Sequence, residues 1–438
     1  MPTTTFRDII YVSDGRVRRA DIVIAGGLID HIADKEDLDP AVLPVGGDVF
    51  MPGVIDSHVH TREPGLTHKG DLTTETRAAA AGGVTTIMDM PNVVPQTTTL
   101  DTLAQRQALG RDHAFVNYTF YFGATNTNAT LLPQLDPATV PAVKLFMGSS
   151  TGGMLVDHGE ALEDVFRLSP LPIMAHCEDS YIIDVFMRRA QSLYGKDPHV
   201  GLHPEIRSRL ACTVSSKLAV RMALQTGARL HIAHVSTAEE LDLAAVSPRI
   251  TLEACLPHLL FCDDDYASLG TRIKCNPSVK SRKDRDALRC ALTDGRITTV
   301  ATDHAPHLLA EKQGGCLKAA SGIPMVQFSL VAMMDLVHAG VLSLPRLVEL
   351  MCHAPARLFD ISRRGFIREG MCADLAVIRL NPWFLKPADI LSRCGWSPLE
   401  NHFFVWRVCQ TYCNGRLIYD HGRLADGNSH AQQLTFER

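Results

Sequence analysis

The stretch Val54-Ile55-Asp56-Ser57-His58-Val59-His60-Thr61-Arg62-Glu63-Pro64-Gly65 sets two histidines two residues apart at the end of an apolar run. On a strand, residues two apart share a face, so His58 and His60 project together. Two imidazoles on one short segment can bind one divalent ion at about 2.0–2.1 Å per nitrogen. Arg62 would face the same space if the strand continued, and its planar fork suits a carboxylate. Two alternating core histidines would read the same way, so the rest of the chain must decide. Three further runs end in Ala175-His176-Cys177-Glu178, Ala233-His234-Val235-Ser236 and Ala301-Thr302-Asp303-His304. One histidine at a strand end is commonly structural. His58, His60, His176, His234 and Asp303 at the strand ends of one barrel form a donor set suited to zinc or a related divalent ion. Their number and spread suggest two ions, which about 3.5–4 Å apart can share a hydroxide and polarise a carbonyl.

Lys144 sits in Ala142-Val143-Lys144-Leu145-Phe146, amid four apolar residues. Burying its cation carries a desolvation cost that a partner must offset. It is either paired with a carboxylate or made anionic by reaction with carbon dioxide, in which form it can bridge two metals. The sequence leaves both open. Asn92 in Met90-Pro91-Asn92, Asn276 before Pro277, and His307 are candidates for the mouth of the site. Asparagines beside prolines are otherwise common turn residues. His231, three before His234, faces the other way and reads as packing. His304 follows Asp303 directly and should point away from it. His258 and His113 carry no assigned role.

These groups need a frame that gathers strand ends. Eight strand-like runs follow residue 52: Gly53–His60, Val84–Met90, Ala114–Phe122, Ala142–Phe146, Pro172–His176, Arg229–His234, Ile250–Leu256 and Ile297–Ala301. Helical stretches separate most of them, including Asp71–Ala81, Leu100–Leu109, Arg207–Gln225 and Thr237–Ala245. Strand–helix alternation implies an α/β fold with a parallel sheet. Eight units fit a closed (β/α)8 TIM-like barrel, whose active sites lie at the C-terminal ends of the strands. A doubly wound sheet fits less well, because no glycine-rich phosphate loop follows an early strand. Before residue 53 the chain alternates apolar and polar positions, with Gly26-Gly27 as a hairpin turn. Gly365–Gly370, Ala373–Ile378 and Val405–Leu417 return to strand texture. Residues 1–52 and 366–438 are thus expected to form one small β-sandwich domain beside a barrel at 53–365.

Composition narrows the function. The 438 residues are 46% hydrophobic and 21% charged, with net charge −5 and the signs mixed, so nothing points to nucleic acid or an anionic membrane. No apolar run reaches the roughly 18 residues of a membrane span. The N-terminus lacks a basic region followed by an apolar one, so no secretory signal is read. Twelve scattered cysteines without a C-x-x-C pair suit reduced thiols in the cytoplasm.

With these motifs assembled, the chain resembles the amidohydrolase superfamily, and within it the dihydroorotases, over nearly its whole length. The most specific parts are Asp56–Gly65, Met88-Asp89-Met90-Pro91-Asn92, and Ala301–His307 with Lys312 five residues on. The resemblance implies two zinc ions, the first held by His58, His60 and Asp303, the second by His176 and His234, with carboxylated Lys144 as bridge. Thr61 departs from the apolar residue usual there and is expected to matter little. The resemblance gives Arg62, Asn92 and His307 to a substrate carboxylate. It places Gly322, with Pro324, in a loop near the substrate ring. It implies reversible hydrolysis of dihydroorotate to N-carbamoyl-L-aspartate in pyrimidine synthesis, with Asp303 as general base and then acid. It also makes a homodimer an expectation. The rivals are another cyclic amidase, such as an allantoinase or dihydropyrimidinase (hydantoinase), and a non-catalytic barrel acting as a structural partner. Related cyclic amidases generally lack the arginine at the Arg62 position, and a non-catalytic barrel would be expected to lose metal residues.

Overall fold

The structure is a computed structural model that describes residues 3–44, 46–148, 154–427 and 430–438. Four strands come first: β1 (Thr4–Ser13), β2 (Arg16–Ala25), β3 (Leu28–Leu38) and β4 (Asp48–Pro52). Nine parallel segments follow: β5 (Val54–Val59), β6 (Val84–Asp89), β7 (Asn117–Phe120), β8 (Phe122–Gly123), β9 (Val143–Phe146), β10 (Ile173–His176), β11 (Leu230–Ile232), β12 (Ile250–Cys255) and β13 (Thr299–Ala301). β7 and β8 are separated by one residue, so the ring has the eight staves expected. They pair in the orders β5-β6-β7 and β8-β9-β10-β11-β12-β13. The seam between β13 and β5 closes through a parallel bridge from Val59 to His304 and a 2.7 Å bond from the His60 amide to the His304 carbonyl. Asp56 reinforces that seam, accepting from the Thr302 amide at 3.1 Å and the Thr302 hydroxyl at 2.6 Å. Nearly every barrel-strand residue is buried, as a parallel sheet covered on both faces requires. The result is a distorted (β/α)8 barrel.

Local chemistry explains the helix limits. Asp71 caps the helix Leu72–Ala81 by accepting from the Thr74 amide at 2.7 Å, and Gly82 ends it. The stretch Thr237–Ala245 differs from expectation in winding as a 3-10 helix over Ala238–Ala245. Glu240 turns back there to accept from the Ser236 and Thr237 amides, which holds its first turn tight. No helix among the described residues is long and apolar enough to cross a membrane.

β14 (Leu375–Phe384), β15 (Phe403–Cys413), β16 (Arg416–Asp420) and β17 (Arg423–Leu424) complete an eight-stranded sheet ordered β17-β16-β15-β14-β4-β1-β2-β3. Both chain ends therefore build the β-sandwich beside the barrel. Two expectations change here. Gly365–Gly370 is not a strand. Both glycines have positive φ (84° and 81°), which breaks the extended path, and the segment meets β3 through the Gly370 amide on the Ile29 carbonyl and the Glu369 carboxylate on the Ile32 amide. Val405–Leu417 is a hairpin rather than one run, turning at Asn414-Gly415 with φ of 51° and 75°. The last residues leave this sheet. Leu434 donates its amide to the Tyr118 carbonyl, and Phe436 donates to Ala138. Their side chains join Ile55, Met88, Tyr121, Met174 and Phe359 in one apolar cluster.

Candidate active site

The C-terminal strand ends converge as the sequence implied. His58 lies on β5, and its Nδ1 is 2.8 Å from Glu253 Oε1 of β12, leaving Nε2 at 3.3 Å from Asp303 Oδ1. His60 follows β5. Its Nδ1 contacts Asn92 Oδ1 at 2.8 Å and its Nε2 approaches the same Asp303 oxygen at 3.1 Å. Both rings thus use Nδ1 outward and turn Nε2 inward, the arrangement by which an outer acceptor orients a metal-ligating histidine. The three donor atoms lie within 4.8 Å of one another. A second pair adjoins them. His176, at the end of β10, contacts Glu178 through Nε2 at 2.9 Å and meets His234 Nε2 through Nδ1 at 2.9 Å. The His58 and His234 rings are 5.3 Å apart, so the two groups share one cavity.

Lys144 projects from β9 into that cavity, fully buried, and its Nζ has no hydrogen-bond partner among the described residues. Burial lowers its pKa and favours the neutral amine. The alternative of a lysine paired with a carboxylate therefore lacks its partner. An orphaned amine, two facing imidazole nitrogens and a His/His/Asp cluster together fit divalent metal. Burial also lowers His60, to about 4, and lowers His176, so these rings are neutral and able to ligate at neutral pH. Burial pushes Asp303 upward, but His58 and His60 outweigh it and hold the carboxyl at about 2. His58, Glu253 and Cys255 also converge. There burial pushes the Cys255 thiol well up, and neither Glu253 nor Cys255 lines the cavity.

Arg62 reaches the cavity by a different route from the one expected. The strand stops at Val59, and Arg62 turns inward through a positive φ of 72°. His234 (38°) and Asp303 (48°) are also left-handed, so three site residues hold sparsely populated backbone conformations. Arg62 Nε donates to the Pro306 carbonyl at 3.0 Å, and Nη2 lies 3.1 Å from His307 Nε2. Burial lowers its pKa to about 10, still cationic at neutral pH. Asn92, Asn276, Ser321 and Gly322 line the same cavity. Gly322 has φ of 146°, and a Cβ there would lie 2.6 Å from the Ala305 carbonyl and 2.8 Å from His307. Only glycine fits. Lys312 holds this loop, donating Nζ to the carbonyls of Lys274, Ala320 and Gly322 at 2.8–3.0 Å. His307 borders the cavity through Arg62.

Comparison with known proteins agrees with this geometry. The amidohydrolase family model matches residues 49–418. The chain belongs to the amidohydrolase family. It stands among the cyclic amidohydrolases. It is 34% identical to the dihydroorotase of Halobacterium salinarum over 94% of this chain and 96% of that one. It is likewise 34% identical to the dihydroorotase of Lactiplantibacillus plantarum, over 95% and 98%. Among solved structures, the L-hydantoinase (dihydropyrimidinase) of Arthrobacter aurescens superposes with TM-score 0.91 at 25% identity, covering 98% of this chain and 99% of that one.

The amidohydrolase site also uses residues that strand-end reasoning passed over. Glu253 orients His58 and accepts from the His234 amide at 3.2 Å and the Ser57 hydroxyl at 3.2 Å. Its signal was a lone acid in the otherwise uncharged run Ile250–Leu256. Glu178 ties His176 to Arg207. Thr61 faces away from the donors as expected, yet it has a task there. Its amide and hydroxyl donate to buried Asp89 at 3.0 and 2.5 Å, and Arg106 pairs with the same carboxylate. This anchors the loop between His60 and Arg62. The other histidines are structural: His231 contacts the Thr251 hydroxyl at 2.8 Å, His304 contacts Glu75 at 2.9 Å, His258 contacts the Pro277 carbonyl at 3.0 Å, and His113 contacts Glu63 at 2.8 Å.

Proposed function

We propose that this amidohydrolase is a dihydroorotase that interconverts (S)-dihydroorotate and N-carbamoyl-L-aspartate in pyrimidine synthesis. The observation that carries the reading is the buried cationic Arg62, set beside His307 and Asn92 at the edge of the cavity that holds the metal donors. A buried guanidinium with no carboxylate in contact among the described residues calls for an anionic ligand group. Both proposed substrates carry a non-reacting carboxylate on the carbon two bonds from the carbonyl carbon that reacts. The curated dihydroorotase relatives support the same choice.

His58, His60 and Asp303 would hold one zinc ion, His176 and His234 a second, and Lys144 as its carbamate would bridge them. When bound, such ions lower the pKa of water toward ~7 and polarise a carbonyl. The chain's own groups do the rest. Arg62, His307 and Asn92 fix the substrate by its carboxylate, which sets the ring carbonyl against the donor cluster. Asp303, ionised at neutral pH, takes a proton from the attacking water and delivers it to the amide nitrogen as the ring opens. Ring closure reverses these roles. Residues 53–365 would carry the chemistry, with 1–52 and 366–438 as the flanking β-unit. Twelve cysteines without a disulfide suit a reducing cytoplasm.

A substrate panel tests the reading. Wild-type protein should turn over L-dihydroorotate and N-carbamoyl-L-aspartate far better than dihydrouracil or hydantoin, which lack the carboxylate. Arg62→Met should lower kcat/KM for the carboxylated pair by about 10²-fold or more, the size of losing one partner of a buried charged contact. It should leave any residual dihydrouracil turnover unchanged. Preference for dihydrouracil in the wild type would move the assignment to a dihydropyrimidinase, the activity named for the solved relative.

A further inference from the structure

Lys69 lies in the loop after β5, with its side chain only 12% exposed. Its Nζ is 2.8 Å from Glu311 Oε1 and 3.1 Å from His307 Nδ1. An ammonium has three donors and no acceptor, so His307 Nδ1 must offer a lone pair to make this contact. The other ring nitrogen, Nε2, faces Arg62 Nη2 at 3.1 Å, and a guanidinium is likewise donor-only. A neutral imidazole has one lone pair and one N–H. It can accept from Lys69 or from Arg62, never from both.

The surroundings choose between them. An N–H on Nδ1 would point at an ammonium, and the nearest carboxylate oxygen on that side, Glu311 Oε2, is 3.6 Å away, beyond hydrogen-bond length. An N–H on Nε2 points instead toward Arg62 and the cavity edge. There the ring N–H and the Arg62 guanidinium face each other at 3.1 Å. A carboxylate entering that space would accept from both. Burial, together with the Arg62 and Lys69 cations, holds the His307 pKa well below the usual range, opposed by the Ser321 carbonyl, so the ring is neutral and its tautomer is the variable that counts. The Trp396 indole donates to the His307 carbonyl at 2.7 Å and fixes the backbone beneath the ring.

We propose that Lys69 is a positioning residue that fixes the Nε2–H tautomer of His307, making the ring a hydrogen-bond donor to the substrate carboxylate. The role toward a carboxylate rests on the dihydroorotase reading; the hold on the tautomer does not.

The test uses metal-replete protein with nitrogen-15 histidine, the His307 signals being identified by their loss in His307→Gln. Wild-type protein should show a bare Nδ1 and a protonated Nε2. Lys69→Met should lose that preference, and its KM for both carboxylated substrates should rise about 10-fold, the effect of weakening one hydrogen bond to a charged group. Its kcat should change less than about 3-fold. Lys69→Arg, still a donor-only cation, should keep the wild-type tautomer. A protonated Nδ1 in the wild type, or an unchanged tautomer in Lys69→Met, overturns the proposal. A changed tautomer with unchanged KM removes the carboxylate role. If wild-type protein turns over neither substrate, the dihydroorotase reading falls, and the carboxylate role falls with it; the nitrogen-15 spectra still decide the hold on the tautomer.

Discussion

Asp303→Asn is expected to lower turnover in both directions by at least about 10³-fold while the barrel stays folded. The substitution keeps the shape of the side chain and removes its charge. Under the proposed function, three roles fall on that one carboxylate. Its Oδ1 is the point where His58 and His60 converge, at 3.3 and 3.1 Å. It supplies the anionic donor of that cluster. In the proposed mechanism it also carries the proton to the leaving nitrogen. Its left-handed backbone, φ 48°, is one asparagine also tolerates, so the fold should persist. Circular dichroism and thermal melting would confirm the fold alongside the rate. An Asp303→Asn variant within about tenfold of wild-type kcat, against the loss expected for a missing general base, would contradict the role given to Asp303.

Lys144→Met is expected to separate activity from stability more sharply still. The lysine is buried, its amine has no partner among the described residues, and burial already disfavours its charge. A methionine of similar length removes a costly polar burial, so the melting temperature of the metal-free protein should hold or rise. Activity should fall by about 10²-fold or more, with one ion lost per chain. The neutral amine is the form that adds carbon dioxide, forming an N–C bond and releasing a proton to leave a carbamate anion. Lys144→Ala makes room for a small carboxylate in its place, so added acetate should restore part of the rate. Full activity in Lys144→Met would make this lysine a packing residue. Absence of rescue in Lys144→Ala, with both ions still bound, would remove the carbamate.

The convergence of His58, His60, His176, His234 and Asp303 on one cavity was legible because a parallel barrel converts a local pattern, an apolar run ending in a polar residue, into a shared location. Lys144 was legible for the same reason, as a charge inside an apolar strand. What stayed hidden depends on contacts far apart in sequence. Glu253 meets His58 across 195 residues, and Lys69 meets His307 across 238. Neither pairing has a local signature. Arg62 was placed in the right cavity by strand alternation, yet the backbone turns at Arg62 itself. Thr61 looked neutral because its partner, Asp89, belongs to the neighbouring strand. The β-unit was read from alternation, and its errors, at Gly365–Gly370 and Asn414-Gly415, fall where positive-φ residues end an extended path.

The most direct measurement is turnover of L-dihydroorotate and N-carbamoyl-L-aspartate by purified protein, with metal content determined on the same sample. Interconversion of the two, with about two zinc ions per chain, is the expected result. Bound metal with no turnover of either substrate would contradict the dihydroorotase assignment and point to another cyclic amide.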